Sequence, residues 1–180
     1  MRYVTIFLGA IVLVLGVYVA GVYMNLYGEL EEPGVSVNSE IPKNLVQNKL
    51  IAQEPFGKTK QILFGDTHVH TTYSTDAFFW SLPIMNGEGP HPISDACDFA
   101  RFCANLDFWV STDHAEALTP RKWKSIKEAV RSCNAPTDTT DPDLVTFLGY
   151  EWTQVGTNAE SHYGHKNVMF LDIEENKTPK

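Results

Sequence analysis

The sequence predicts a mixed α/β domain, a parallel sheet covered by helices, behind one apolar amino-terminal helix. Short apolar runs at residues 62–64, 107–112 and 144–148 alternate with helical periodicity, in the order expected of βαβ units. Polar residues stand just past each run: Asp66, His68 and His70, then Asp113 and His114, then Glu151. Parallel α/β sheets and barrels carry their sites at that carboxyl edge. The third observation is an uncharged run at residues 3–24, rich in Val, Leu, Ile, Ala and Gly.

As a helix this run spans about 33 Å at 1.5 Å per residue, enough to cross a hydrocarbon core of about 30 Å. Tyr18, Tyr23 and Tyr27 gather towards its far end, where interfacial aromatics are expected. Residues 1–27 therefore read as a transmembrane anchor, with a cleaved signal peptide as the competitor. The run exceeds an ordinary signal core, while Ala20 and Gly21 offer a cleavage point. No cysteine follows it, which argues against a bacterial lipoprotein anchor. Both readings export the remainder and leave Arg2 in the cytoplasm. The expected location is the periplasmic or extracellular side of the inner membrane, or secretion if the signal is cleaved.

A length of 180 residues suits one domain plus an appendage. After Met24 there are 13 basic residues against 22 acidic ones, a balance of −9. Such a surface argues against nucleic acid as the partner, since phosphate backbones attract Lys and Arg clusters. Bound divalent cations would cancel several of those charges locally. Cys97, Cys103 and Cys133 allow at most one internal disulfide. The first two stand about 240° apart around one predicted helix. A bridge from either to Cys133 suits an exported protein, and small buried thiols are the alternative.

Residues 28–60 read as a linker holding Pro33, Pro42 and Pro55, with a short helical possibility at 44–52. Residues 62–64 suit a buried strand that Gly65 ends. Asp66, His68 and His70 then follow at alternate positions, and alternate side chains of an extended chain share a face. Asp76 comes after a polar Thr-Thr-Tyr-Ser-Thr segment that can loop back towards them. Residues 77–91 read as a loop whose Phe78, Phe79 and Trp80 cap a pocket or, more in keeping with aromatics, pack onto the core.

Residues 92–106 predict a helix, with Ile93, Ala96, Cys97, Ala100, Cys103 and Ala104 at helical spacing. A second helix follows the strand at 107–112. Thr119 caps it, Pro120 suits its first position, and Trp123, Ile126, Val130 and Cys133 line one face. Residues 134–142 read as a loop. The third strand, 144–148, leads into Glu151, and a final strand at 167–171 follows His162 and His165.

His68-x-His70, Asp76, Thr112-Asp113-His114 and Glu151 together resemble the ordered motifs of the PHP family, named for polymerase and histidinol phosphatase domains. The wording FGDTHVHTTYSTDAF, DACDFARF, DHAE, LGYEWTQVG and HYGHKNV is similar to an exported bacterial branch catalogued as domain of unknown function 3604. The resemblance runs over residues 61–171. It implies a distorted (β/α) barrel, of which residues 61–180 hold the first three or four βα units. It also implies two or three divalent metal ions. Carried over, His68 and His70 bind one metal, Asp76 and His114 a second, and Glu151 bridges. His165 matches a further ligand, with His162 as its rival. Asp66 and Asp113 orient ligands or relay a proton, because metal-binding imidazoles need carboxylate partners.

Mixed imidazole and carboxylate donors suit Zn, Mn or Fe better than Mg or Ca. Such ions activate water and clamp phosphoryl oxygens, so the expected function is phosphoester hydrolysis of a small phosphorylated or ester substrate. Lys166 and Arg121 are not expected to hold a phosphate. The resemblance also implies a later His and a closing Asp-x-His that do not occur before Lys180. The expectation is therefore an amino-terminal portion that is inactive alone. Two competitors remain: an amidohydrolase-like enzyme acting on another ester or amide, and a non-catalytic surface domain stabilised by metal.

Overall fold

The computed structural model describes residues 2–24, 26, 34–37, 39–54, 62–136 and 142–180. Of the readings above, Tyr27, Gln61, the linker positions 28–33, 38 and 55–60, and loop positions 137–141 lie outside the described residues. Helix α1 (Arg2–Tyr23) is the apolar run, long and apolar enough to cross a membrane. Its side chains are almost all exposed, as lipid-facing side chains would be.

The domain is built on one mixed sheet, β1 (Gly65–Val69), β2 (Phe108–Ser111), β3 (Val145–Gln154) and β4 (Gly164–Phe170), in spatial order 1-2-3-4. The first three strands are parallel, as expected. The fourth is antiparallel to β3 and returns as a hairpin, so it is not a further βα unit. The sheet curls like half a barrel. Its two edges approach closely enough for Asn167 Nδ2 on β4 to donate to Thr67 O on β1 at 2.8 Å.

The first strand is displaced from its expected place. Ile62, Leu63 and Phe64 precede it and are exposed, and the strand begins at Gly65 instead of ending there. Among the described residues β1 is an edge strand paired with β2, and the apolar residues before it lie outside the sheet. Gly65 lies against the Phe108 ring, where a Cβ would collide. The register slips between Asp66 and Val69, two residues that match Trp109 and Ser111 of β2. Such a bulge re-aims the side chains it carries, here Thr67 and His68.

Helix α2 (Lys43–Gln53) lies within the stretch read as a linker, close to the helical possibility at 44–52. It is tied to the domain through Lys49, which pairs with Asp107 at 2.9 Å and donates to the carbonyls of Leu106 and Asp143. Helix α3 (Thr75–Ser81) replaces the expected loop and has no buried residue. Phe79 and Trp80 accordingly face solvent, Trp80 at 65 % exposure, so they do not pack onto the core.

Helix α4 (Ser94–Asp98) continues as a π turn over Phe99–Cys103, shorter and wider than the helix expected at 92–106. The π turn rotates the side chains after it, leaving Cys103 exposed and burying Arg101. Arg101 then reaches Asp143 at 2.7 Å and Cys133 O at 2.8 Å. Helix α5 (Pro120–Asn134) fits its prediction: Thr119 Oγ1 accepts from Lys122 N, and Trp123, Ile126, Val130 and Cys133 are buried. Cys97 and Cys133 form a disulfide that joins α4 to α5.

Candidate metal centre

Three parallel strands and the returning hairpin bring four imidazoles around one carboxylate. Strand β1 carries His68, and His70 follows it. His114 lies three residues past β2, in an isolated parallel bridge with Glu151. Glu151 itself lies inside β3, which runs six residues beyond the expected end at Leu148. The extension exists because β4 pairs with it as far as Gln154. His165, opposite Thr153 in that ladder, completes the ring from the hairpin side.

Glu151 is 2 % exposed. Its Oε1 lies 2.8 Å from His165 Nδ1 and 3.4 Å from His68 Nε2. Its Oε2 lies 3.0 Å from His114 Nδ1 and 3.1 Å from His70 Nε2. A carboxylate taken out of water needs compensating positive charge, and neutral imidazoles supply little. Burial, then the neighbouring His114, hold the His70 pKa below its ordinary value, which keeps that imidazole neutral with a lone pair to give. Burial pulls the Asp76 carboxyl upwards, but the Ala77 backbone N–H and the His114 imidazole outweigh it and hold its pKa low.

These donors fit a divalent cation. His114 Nδ1 is buried without a hydrogen-bond partner, although Glu151 Oε2 is 3.0 Å away. A shared ion about 2.0–2.2 Å from each would satisfy both atoms. His68 Nε2 and His70 Nε2 converge to 2.8 Å from one another, so both nitrogens face one point. Three groups have donor atoms mutually within 4.8 Å: His68, His70 and Glu151; His70, Asp76 and His114; and His114, Glu151 and His165.

Each neutral imidazole has one lone pair, so the three groups compete for His70 and His114. The first and third can fill together, with Glu151 shared between them. In that case His114 ligates through Nδ1 and its Nε2–H faces Asp76 Oδ2 at 3.3 Å. In that arrangement Asp76 orients His114, whereas in the group with His70 and His114 it is itself a candidate ligand, as expected.

The remaining expectations sort plainly. His165 reaches the cluster, whereas His162 is exposed and joins none of the three groups. Asp66 Oδ1 accepts from its neighbour's backbone, His68 N, at 2.9 Å and belongs to none of them either. The bulge at this point turns Asp66 out of the alternation it was expected to share. Asp113 is fully buried and accepts from Thr71 N at 2.7 Å, Thr71 Oγ1 at 2.8 Å and Ser74 Oγ at 2.8 Å. It meets the imidazoles through Ser74, whose Oγ lies 2.8 Å from His70 Nδ1. Thr71 and Ser74 were passed over in the sequence as connecting polar residues. Nothing in a Thr-Thr-Tyr-Ser-Thr run distinguishes a buried relay from a solvated loop. Lys166 turns to the carbonyls of Tyr163 and His165.

A family described as "Protein of unknown function (DUF3604)" matches residues 57–121. The matched stretch carries His68, His70, Asp76, Asp113 and His114, while Glu151 and His165 lie beyond it. No curated protein and no solved structure matches the chain.

Proposed function

We propose that this chain carries metal ligands of a PHP-like, metal-dependent hydrolase, with phosphoesters as the substrate class. The observation that carries the reading is Glu151, buried and ringed by four imidazole nitrogens within 3.4 Å. Two divalent ions in such a setting supply a water acidic enough to attack at neutral pH and a clamp for phosphoryl oxygens. The chain's own part is to hold the donors. Each Glu151 oxygen faces one imidazole of the first group and one of the third, and Asp76 aligns His114. Asp113 and Ser74 hold His70.

The proposed location is outside the cytoplasm, with α1 as anchor or export signal. The buried Cys97–Cys133 disulfide supports this, because such bridges persist in oxidising compartments. An amidohydrolase-like site would want a lysine ligand. Lys122 and Lys166 instead donate to backbone carbonyls.

The test takes the whole gene product that carries this chain, loaded with Zn, Mn or Fe, against phosphomonoesters, phosphodiesters, amides and lactones. Metal-dependent release of phosphate, lost in Glu151→Gln, supports the proposal. Metal binding without turnover of any ester would leave a non-catalytic metal domain in its place.

A further inference from the structure

Ser74 is fully buried, and its hydroxyl oxygen meets three polar atoms: Asp113 Oδ1 at 2.8 Å, His114 N at 3.0 Å and His70 Nδ1 at 2.8 Å. A hydroxyl has one proton and two lone pairs. The His114 backbone N–H can only donate, so it takes one lone pair. Asp113 Oδ1 already accepts from Thr71 N at 2.7 Å and, as a carboxylate oxygen, can only accept again. The Ser74 proton therefore goes to Asp113. One lone pair remains, and the only atom left to meet it is His70 Nδ1, which must carry its proton there.

On the other side of the ring, His68 Nε2–H can meet the His70 Nε2 lone pair at 2.8 Å, so the Nδ1–H form leaves neither ring nitrogen unmatched. The opposite assignment fails at Ser74. If His70 kept its proton on Nε2, Ser74 would have to donate to Nδ1. Its oxygen would then face Asp113 Oδ1 lone pair to lone pair at 2.8 Å, between two fully buried residues. Leaving a buried acceptor unpaired beside another carries a penalty that populates one tautomer roughly five-fold or more over the other.

We propose that Ser74 is a positioning residue: it passes the negative charge of Asp113 to His70 Nδ1–H, locks that tautomer, and leaves the His70 Nε2 lone pair on the cluster side, where His68 Nε2 lies 2.8 Å away and can donate to it. The inference rests on the metal-centre reading for its purpose, though the proton arrangement stands without any metal. It also gives the buried Asp113 its task. Ser74 carries its effect over a gap that its own side chain does not span.

The experiment is nitrogen-15 NMR of histidine-labelled full-length protein in detergent, without metal, at a pH above the imidazole titrations. Ser74→Ala and Ser74→Thr are compared with wild type, and zinc affinity is measured by calorimetry on the same samples. Wild type and Ser74→Thr should show His70 protonated on Nδ1. Ser74→Ala should show a mixture or the Nε2–H form, and bind zinc about 10–100-fold more weakly. His70 protonated on Nε2 in wild type overturns the proposal, as does an unchanged tautomer in Ser74→Ala. Wild type that shows the Nδ1–H form yet binds no zinc would sink the metal reading and leave the Ser74 assignment standing. Should Ser74→Ala fail to fold, the wild-type and Ser74→Thr spectra still decide the tautomer.

Discussion

His114 Nδ1 and Glu151 Oε2 stand 3.0 Å apart in the interior of the site, while the backbone N–H of Glu151 donates to Asp113 O at 3.0 Å. The segment just past β2 and the middle of β3 are thus locked together at the residues that face the cluster. The imidazole nitrogen is buried without a hydrogen-bond partner and the carboxylate is shut away from water. A cation between them resolves both conditions, and the predictions below follow from that arrangement.

Replacing Glu151 with Gln keeps the volume and removes the charge shared by both sides of the cluster. Zinc affinity by calorimetry should fall by more than the ~10–100-fold typical of changes to outer partners. Asp76→Asn, which disturbs only the group aligning His114, should fall within that range. Equal losses would place Asp76 among the direct ligands.

Metal-free stability should depend on His70 in mildly acid solution. Burial, then His114, lower its pKa in the folded protein, so the unfolded chain takes up a proton first as pH falls. Its contribution is complete above the ordinary value of 6.5 and declines as pH drops from there through the folded pKa. Melting temperature should therefore fall below pH 6.5, and His70→Gln should flatten that fall. A His70→Gln variant with the same pH slope as wild type would show that other groups set it.

The Cys97–Cys133 bridge closes a loop with a sequence separation of 36 residues, worth about 4 kcal/mol by loop entropy. Reductant or Cys97→Ala should lower the denaturant midpoint accordingly, whereas Cys103→Ala, at an exposed thiol, should leave it unchanged. Insensitivity to reductant would remove the disulfide as support for an exported domain.

If α1 anchors or exports the domain, protease added outside intact spheroplasts should digest it, or the medium should contain it. The full chain would also resist extraction from membranes by alkaline carbonate, unless α1 is cleaved. A protease-protected, soluble chain would put the domain in the cytoplasm.

Much of this site was legible before any fold was known. His68, His70, His114, Glu151 and His165 all reach the cluster, because ligands at successive strand ends follow from topology alone. The less legible parts depend on packing. The bulge that turns Asp66 aside is a register slip that periodicity does not encode, and the π turn that exposes Cys103 breaks a clean helical pattern. Strand β3 outruns its apolar stretch because a hairpin partner supports it. Ser74 was hidden for another reason: serine is common in loops, and only burial against Asp113 and His70 gives it a role.

The account stands most directly on metal content. The full-length chain, expressed and purified without chelator, should hold at least one zinc, manganese or iron ion per molecule by elemental analysis, and Glu151→Gln should hold markedly less. A wild-type protein that folds with its disulfide formed, yet contains none of these metals and gains no thermal stability when they are added, would contradict it.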